Sequence, residues 1–299
     1  MMSEQNNTIQ LEFDKKDWAD QRPTWCPGCG DYGVLSATKN AVIDLQLDPE
    51  NTVVVSGIGC SSNFPHFINS YGIHTLHGRA NPVGQAIKMS NPDLNVIVAG
   101  GDGDGLAIGI GGFVHAARRN MDLTYIVMDN QVYGLTVNQV SPTSGLDRKT
   151  TSTPYGNIER PLNPVSMALA AGATFVARTF SGEKDHFADV LKKAIQHKGF
   201  AFIDDLSPCV TFNKVNTYDY WRERVYKLED TDYQPNDLGA AMNKALEWDD
   251  KVPLGVFYEE NKPAYHEMDP SIKRHGNPVK RGPHHLSPET RQQILSDHY

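Results

Sequence analysis

Four cysteines, Cys26, Cys29, Cys60 and Cys209, are the only thiols in this 299-residue chain. Cys26 and Cys29 flank a Pro-Gly turn in "TWCPGCGDYG" (24–33), while the other two stand singly and far away. A CxxC pair holds a metal, runs a thiol–disulfide cycle or closes a turn. A zinc ribbon usually supplies two local pairs, and a thioredoxin-like pair would leave Cys60 and Cys209 without a role. A second concentration of chemistry is "GGDGDGLAIGIGG" (100–112), with glycine at seven of thirteen positions. A glycine-rich strand–helix junction lets backbone N–H groups approach a phosphate, and the helix N-terminus favours its negative charge. GxGxxG alone is a weak signal, and a Rossmann site would add an acid about twenty positions downstream. Here the acids, Asp102 and Asp104, lie inside the loop, where they would repel a bare diphosphate unless a divalent cation bridged them. Mg2+ fits, because it takes carboxylate, carbonyl and phosphate oxygens. Twenty-eight positions after Asp102 comes "DNQVYGLT" (129–136), in which Asn130 offers a side-chain oxygen and Val132 a backbone carbonyl.

Such ligands need strand ends to hold them, and the chain supplies strands. Short β-branched runs predict strands at 52–57, 95–100, 124–129, 173–178 and 200–206, alternating with helical segments at 32–46, 83–90, 105–119, 164–171 and 183–197. That alternation predicts an α/β fold with a mostly parallel sheet covered on both faces. Beyond residue 208 the pattern decays to a helix at 240–248, a short apolar segment "PLGVFY" (253–258) and a polar, proline-bearing tail. The organisation read from this is an N-terminal arm (1–20), a cofactor-binding domain (21–210) and a C-terminal covering segment and tail (211–299).

Composition narrows the function. A net charge of −8 argues against a broad nucleic-acid-binding face. There is no run of about 18 apolar residues to cross a membrane, and the polar start "MMSEQNNTIQLEF" lacks a signal peptide's apolar centre. A cytoplasmic protein is expected, in which four cysteines are metal ligands or catalytic thiols rather than disulfides.

Gly101-Asp102-Gly103 followed by the asparagine turn matches the thiamine diphosphate (TPP) signature. With both halves in place, the sequence resembles the β subunit of a 2-oxoacid:ferredoxin oxidoreductase, most like the 2-oxoglutarate type. The resemblance runs through "WCPGCG" (25–30), "GIGCSS" (57–62), "LHGRANPV" (76–83), "GGDGDGLAIG" (100–109), "HAARRNMDLTYIVMDNQVYGLT" (115–136), "QVSPT" (139–143), "LSPC" (206–209) and "PLGVFY". It implies a three-layer αβα TPP-binding fold and one [4Fe–4S] cluster on Cys26, Cys29, Cys60 and Cys209. It also implies Mg2+ on Asp102, Asn130 and the Val132 carbonyl. Gly101 belongs to the same cofactor motif, and Gly103 and Asp104 would lie along the diphosphate. Ile58, Gly59, Cys60 and Ser61, with Gly134, Leu135 and Thr136, would approach the thiamine. In the family a separate α subunit supplies the activating glutamate and most contacts to the 2-oxoacid and coenzyme A, so the chain would be inactive alone and would pass electrons to ferredoxin.

Redox chemistry supports the pairing independently. Decarboxylating a 2-oxoacid to an acyl group leaves two electrons to remove, and an iron–sulfur cluster takes them one at a time. Two residues bear on the substrate. Leu135 resembles the 2-oxoglutarate or broad 2-oxoacid type, where pyruvate-dedicated members tend to carry asparagine. Asn63 stands where many relatives carry a basic residue, so a distal carboxylate would have to be met by the α subunit. Zinc in the four thiolates, a pyruvate-directed enzyme, a non-redox TPP lyase and a non-catalytic metal-binding scaffold remain open alternatives. Several other groups stay without a fixed role. His77 and Arg79 lie near the cofactor by resemblance; His115, Arg118 and Arg119 face a partner or solvate a helix. "YDYWRERVY" (218–226) reads as a covering surface segment, and "PHHL" (283–286) as solvated tail.

Overall fold

The computed structural model describes residues 12–281 and 286–297. The first half of the expected N-terminal arm and most of "PHHL" lie outside them. Among the described residues eight strands form, β1 (Thr52–Ser56), β2 (Tyr71–His74), β3 (Asn95–Gly101), β4 (Leu123–Asp129), β5 (Phe175–Phe180), β6 (Phe200–Leu206), β7 (Val225–Lys227) and β8 (Val252–Glu259). They make one sheet in the order β2-β1-β3-β4-β6-β5-β8-β7, parallel throughout except where β8 runs against β5. The helices are α1 (Asp31–Asp44), α2 (Ala80–Ser90), α3 (Ile110–Arg118), α4 (Pro164–Ala170), α5 (Lys184–Gln196), α6 (Tyr218–Arg222), α7 (Leu238–Ala245), α8 (Tyr265–Met268), α9 (Pro270–His275) and α10 (Pro288–Ser296).

Successive strand residues point to opposite faces of a sheet, and here both faces are buried. Val54, Ile97, Ala99, Ile126 and Ile203 pack with Val34, Ala41, Phe187 and Leu191 of α1 and α5. Their neighbours Val53, Val98, Tyr125 and Phe202 pack with Phe113 and Ala117 of α3, Leu169 of α4 and Ala241 of α7. Two cores separated by the sheet are the three-layer αβα fold that the alternation of strands and helices predicts. Leu191 is fully buried, so truncating it to alanine should cost about 2–5 kcal/mol.

The five expected strands and most expected helices form, with instructive differences. The helix expected at 105–119 is broken: Asp104–Ile108 makes a π turn, and α3 starts only at Ile110. The Gly109 N–H reaches the Asp104 carbonyl at 3.0 Å, and a Cβ on Gly109 would lie 2.5 Å from that oxygen. The apolar segment at 253–258 is β8, buried along most of its length. Residues beyond 210 therefore complete the same sheet with β7 and β8. Within "YDYWRERVY", Trp221 is buried against Trp248 at 5.6 Å between ring centroids, so this cover contributes its own apolar core. Trp18, from the expected N-terminal arm, is likewise fully buried. Among the described residues, no helix is long and apolar enough to cross a membrane.

Candidate active site

Parallel strands end at one edge of the sheet, and this is where the chemistry gathers. Ser56 of β1 lies beside Ala99 of β3, Gly101 of β3 beside Met128 of β4, and Asp129 of β4 beside Leu206 of β6. The loops that leave these four adjacent strands carry Cys60, Asp102, Asn130 and Cys209. Open α/β sheets bind ligands outside their carboxyl ends. Here a cavity of about 140 Å3 is lined by Ile58, Gly59, Cys60, Ser61, Gly101, Asp102, Gly103, Asp104, Asn130, Val132, Gly134, Leu135 and Thr136, together with His77 and Tyr133. The structure thus brings into one wall every residue that the sequence reading placed along the diphosphate, the thiamine or the bridging cation. Larger cavities exist elsewhere in the chain, but none of them gathers these motifs. Asn63 does not line this cavity; it sits half-buried in the 3-10 turn after Cys60.

The two loop carboxylates do different work. Asp104 is turned inward, and its Oδ1 accepts hydrogen bonds from the N–H groups of Ile58 (2.9 Å) and Gly78 (2.7 Å) and lies 2.7 Å from Nδ1 of His77. It ties the loops after β1 and β2 to the glycine loop, so what it presents toward a diphosphate is backbone. His77 thereby gains a concrete place, as a partner of Asp104 at the cavity wall. Asp102, also buried, accepts from the Thr143 hydroxyl at 2.6 Å. Burial pushes its carboxyl up, and the Ser141 and Thr143 hydroxyls oppose this. The same Thr143 oxygen lies 2.7 Å from Oδ1 of Asp129, whose carboxyl is pushed far up by burial and then by the charge of Asp102.

Asn130 folds back on its own chain. Its Oδ1 accepts the Val132 N–H at 3.0 Å, while Gln131 is held in the left-handed region at φ 56° with its N–H on Asp129 Oδ1. A non-glycine residue in this region is uncommon and marks a constrained turn. The amide oxygen keeps a second lone pair for a cation. Gly103 shows why the loop needs glycine: a Cβ there would fall 2.2 Å from the Tyr133 ring, whose hydroxyl donates to the Gly103 carbonyl at 3.1 Å. Tyr133 and Thr143 lie in quoted motifs, yet no spacing rule singles them out, and the sequence reading gave neither a role.

The cysteine loops converge beside the cavity. Trp25 donates from Nε1 to the Cys60 carbonyl at 2.7 Å, and the Gly30 N–H donates to the Pro208 carbonyl at 3.0 Å. The CPGC turn is therefore clamped between the loops that carry Cys60 and Cys209, and a Cβ on Gly30 would strike Ser207 Oγ at 2.3 Å. Cys60 lines the cavity itself, and Cys209 Sγ lies 3.5 Å from where a Cβ on Gly134 would be. The thiols also feel one another. Burial pushes Cys60 up to about 11, with Asp31, Cys209 and Cys26 adding to it, and raises Cys29 further, helped by Asp31, Cys209 and Cys60. Among the described residues no three His, Cys, Asp or Glu side chains stand ready to hold a metal ion. Cys29 and Cys60, raised by burial, would be deprotonated by a metal's own charge, and four thiols on adjoining loops are the donor type that an iron–sulfur cluster takes. Asp31, missed in the sequence, is buried between these loops, accepts from Ser207 Oγ at 3.2 Å and is pushed up to about 6 by burial.

Comparison with known proteins shows what the chain is similar to. Residues 57–204 match the family described as thiamine pyrophosphate enzyme, C-terminal TPP binding domain, and residues 209–274 match the C-terminal family of the pyruvate ferredoxin oxidoreductase beta subunit. The chain is 48% identical over 266 residues to a 2-oxoacid:ferredoxin oxidoreductase subunit beta of Saccharolobus solfataricus, covering 85% of this chain and 86% of that one. It is 38% identical over 244 residues to the 2-oxoglutarate synthase subunit KorB of Methanocaldococcus jannaschii, covering 81% and 90%. Among solved structures, the 2-oxoglutarate:ferredoxin oxidoreductase of Magnetococcus marinus, with 2-oxoglutarate, coenzyme A and succinyl-CoA bound, superposes with a TM-score of 0.87 at 40% identity, covering 97% of this chain and 98% of that one.

Proposed function

The chain belongs to the 2-oxoacid:ferredoxin oxidoreductase β subunits, and from that premise we propose that it carries the TPP and a [4Fe–4S] cluster of an enzyme that oxidises 2-oxoglutarate by preference. With coenzyme A the products would be an acyl-CoA, CO2 and reduced ferredoxin. One observation supports this reading most directly: Cys60 lines the cavity that also holds Asp102 and Asn130, and Cys209 Sγ lies 3.5 Å from where a Cβ on its Gly134 wall would be. A cofactor in that cavity and a cluster on those thiols would be immediate neighbours, as electron transfer from one to the other requires. TPP would supply the decarboxylation chemistry and the cluster the one-electron steps.

The residues then have definite tasks. Asp102 and Asn130 would hold Mg2+ through side-chain oxygens, with the Val132 carbonyl beside them, and the loop glycines would let the diphosphate approach the backbone. Asp104 holds its loop in place through Ile58, Gly78 and His77. Leu135, more than half exposed at the cavity mouth, presents an apolar surface to the substrate side and makes no polar demand on it. The α partner would supply the glutamate that activates the pyrimidine ring, along with most substrate and coenzyme A contacts. The chain alone would be inactive, and with its partner it would act in the cytoplasm.

Anaerobic co-purification with the α partner, followed by acyl-CoA assays on 2-oxoglutarate, pyruvate and 2-oxobutyrate with ferredoxin as acceptor, tests this reading. Ferredoxin reduction that depends on both a 2-oxoacid and coenzyme A is expected. Decarboxylation of the 2-oxoacid without ferredoxin reduction would favour a non-redox lyase instead.

A further inference from the structure

At the opposite edge of the sheet lies a second cavity, of about 470 Å3, between the amino ends of β3 and β4, the last turns of α2 and α5, and the segment carrying α8 and α9. That segment is fixed as a roof. The Tyr265 N–H donates to the Asn120 carbonyl at 3.0 Å, Asn277 Nδ2 donates to Asn91 Oδ1 at 2.8 Å, and Lys280 pairs with Asp93 at 2.6 Å. The volume lies in the range of small-molecule sites, and the lining charges, Lys88 and Lys198 against Asp93 and Asp122, balance in number but not in pairing. Asp122 is neutralised by the buried Lys88 at 2.8 Å and Asp93 by Lys280. Lys198, which also lines the cavity, has no carboxylate partner among the described residues. On the roof, Nδ1 of His266 is buried with no hydrogen-bond partner among the described residues. A buried polar atom without a partner is costly, and a ligand oxygen would satisfy it.

We propose that this cavity binds a small metabolite through its oxyanion, a phosphate or a carboxylate, held between Lys198 and His266 under the α8–α9 roof. The site is separate from the TPP cavity and uses none of its residues. Neither Lys198 nor His266 is part of the sheet, so both can be replaced without opening the core.

Isothermal titration of the full-length chain with inorganic phosphate and, separately, with succinate, at constant ionic strength, tests the proposal. At least one anion should bind, and the Lys198→Ala/His266→Ala double variant should bind it at least about tenfold more weakly. Asp102→Ala, at the other edge, should leave that binding unchanged. Hydrogen exchange should slow across 265–277 when the anion is added. Binding of phosphate alone or succinate alone supports the site and identifies the headgroup it prefers. The proposal is overturned if neither anion binds, if the double variant binds like wild type, or if Asp102→Ala abolishes binding.

Discussion

The hydroxyl of Thr143 lies 2.6 Å from Oδ2 of Asp102 and bridges it to Asp129 Oδ1 at 2.7 Å. A hydroxyl has one hydrogen to give, so two such short contacts require a proton on one of the two carboxyls. Asp129 is the one to carry it, since burial and the neighbouring Asp102 both push its carboxyl up. Asp102, which burial also raises but which the Ser141 and Thr143 hydroxyls favour as the anion, would then be the carboxyl left to meet a cation. Thr143→Val should leave both acids short of a partner, lower stability by about 1–3 kcal/mol and weaken Mg2+–TPP binding, whereas Thr143→Ser should restore both. Urea denaturation and TPP titration measure the two effects, and a valine variant equal to wild type in each would remove the bridge from the account.

Cys209 is joined to the CPGC turn through space alone, by the Gly30–Pro208 hydrogen bond. Cys209→Ser should therefore reduce iron content and visible absorption in anaerobically purified protein, although 180 positions separate it from Cys29. TPP binding should persist, because Asp102 and Asn130 are untouched. Unchanged iron content would show that the fourth ligand lies elsewhere.

Much of this site was legible because its groups sit at ends of strands with strong sequence signals. The apolar runs of β1, β3, β4 and β6 placed Cys60, Asp102, Asn130 and Cys209 after strands, and parallel pairing does the rest. Local spacing could not reveal Thr143, which acts 41 positions after Asp102 from an irregular loop, nor the inward turn of Asp104, which depends on Gly78 from another loop. Asp31 was hidden for a similar reason: its burial comes from Ser207, across the sheet edge. The edge strand β2, YGIH, is only four residues long, is exposed along its whole length and is interrupted by Gly72, so its two apolar residues make too short a run to announce a strand. β8 was read only as a short apolar segment because it lies in the region where the strand–helix alternation fails.

Asp205 gives a prediction about pH. It is fully buried on β6; its Oδ1 accepts from Thr179 at 2.8 Å, its Oδ2 has no partner among the described residues, and burial pushes its carboxyl far up. The folded protein thus binds a proton that the unfolded chain releases above its ordinary carboxylate range. Folded pKa above unfolded pKa means that stability is highest below the unfolded value and falls as pH rises toward the folded one. The slope from this one group is at most about 1.4 kcal/mol per pH unit. Asp205→Asn should remove it, so the stability of the variant relative to wild type should increase from pH 5 to pH 8 in urea denaturation. A constant difference across that range would refute the assignment.

Leu135 is the position through which substrate choice can be altered. A site that can hydrogen-bond a substrate discriminates strongly, whereas apolar fit is worth only about 1–3 kcal/mol. With leucine there, wild type should prefer 2-oxoglutarate yet turn over pyruvate or 2-oxobutyrate measurably. Leu135→Asn should move the ratio of kcat/KM values toward pyruvate by about tenfold or more, as read in the reconstituted complex. An unchanged ratio would take Leu135 out of the specificity argument.

The central claim is that one edge of this sheet holds TPP and an iron–sulfur cluster side by side. The most direct measurement is the iron, acid-labile sulfide, zinc and TPP content of the protein purified anaerobically with its partner, in wild type and in Asp102→Ala. The account predicts about four irons and four sulfides per β chain, with TPP present in wild type and lost in Asp102→Ala while the iron stays. Stoichiometric zinc without iron, or TPP retained in Asp102→Ala, would contradict it.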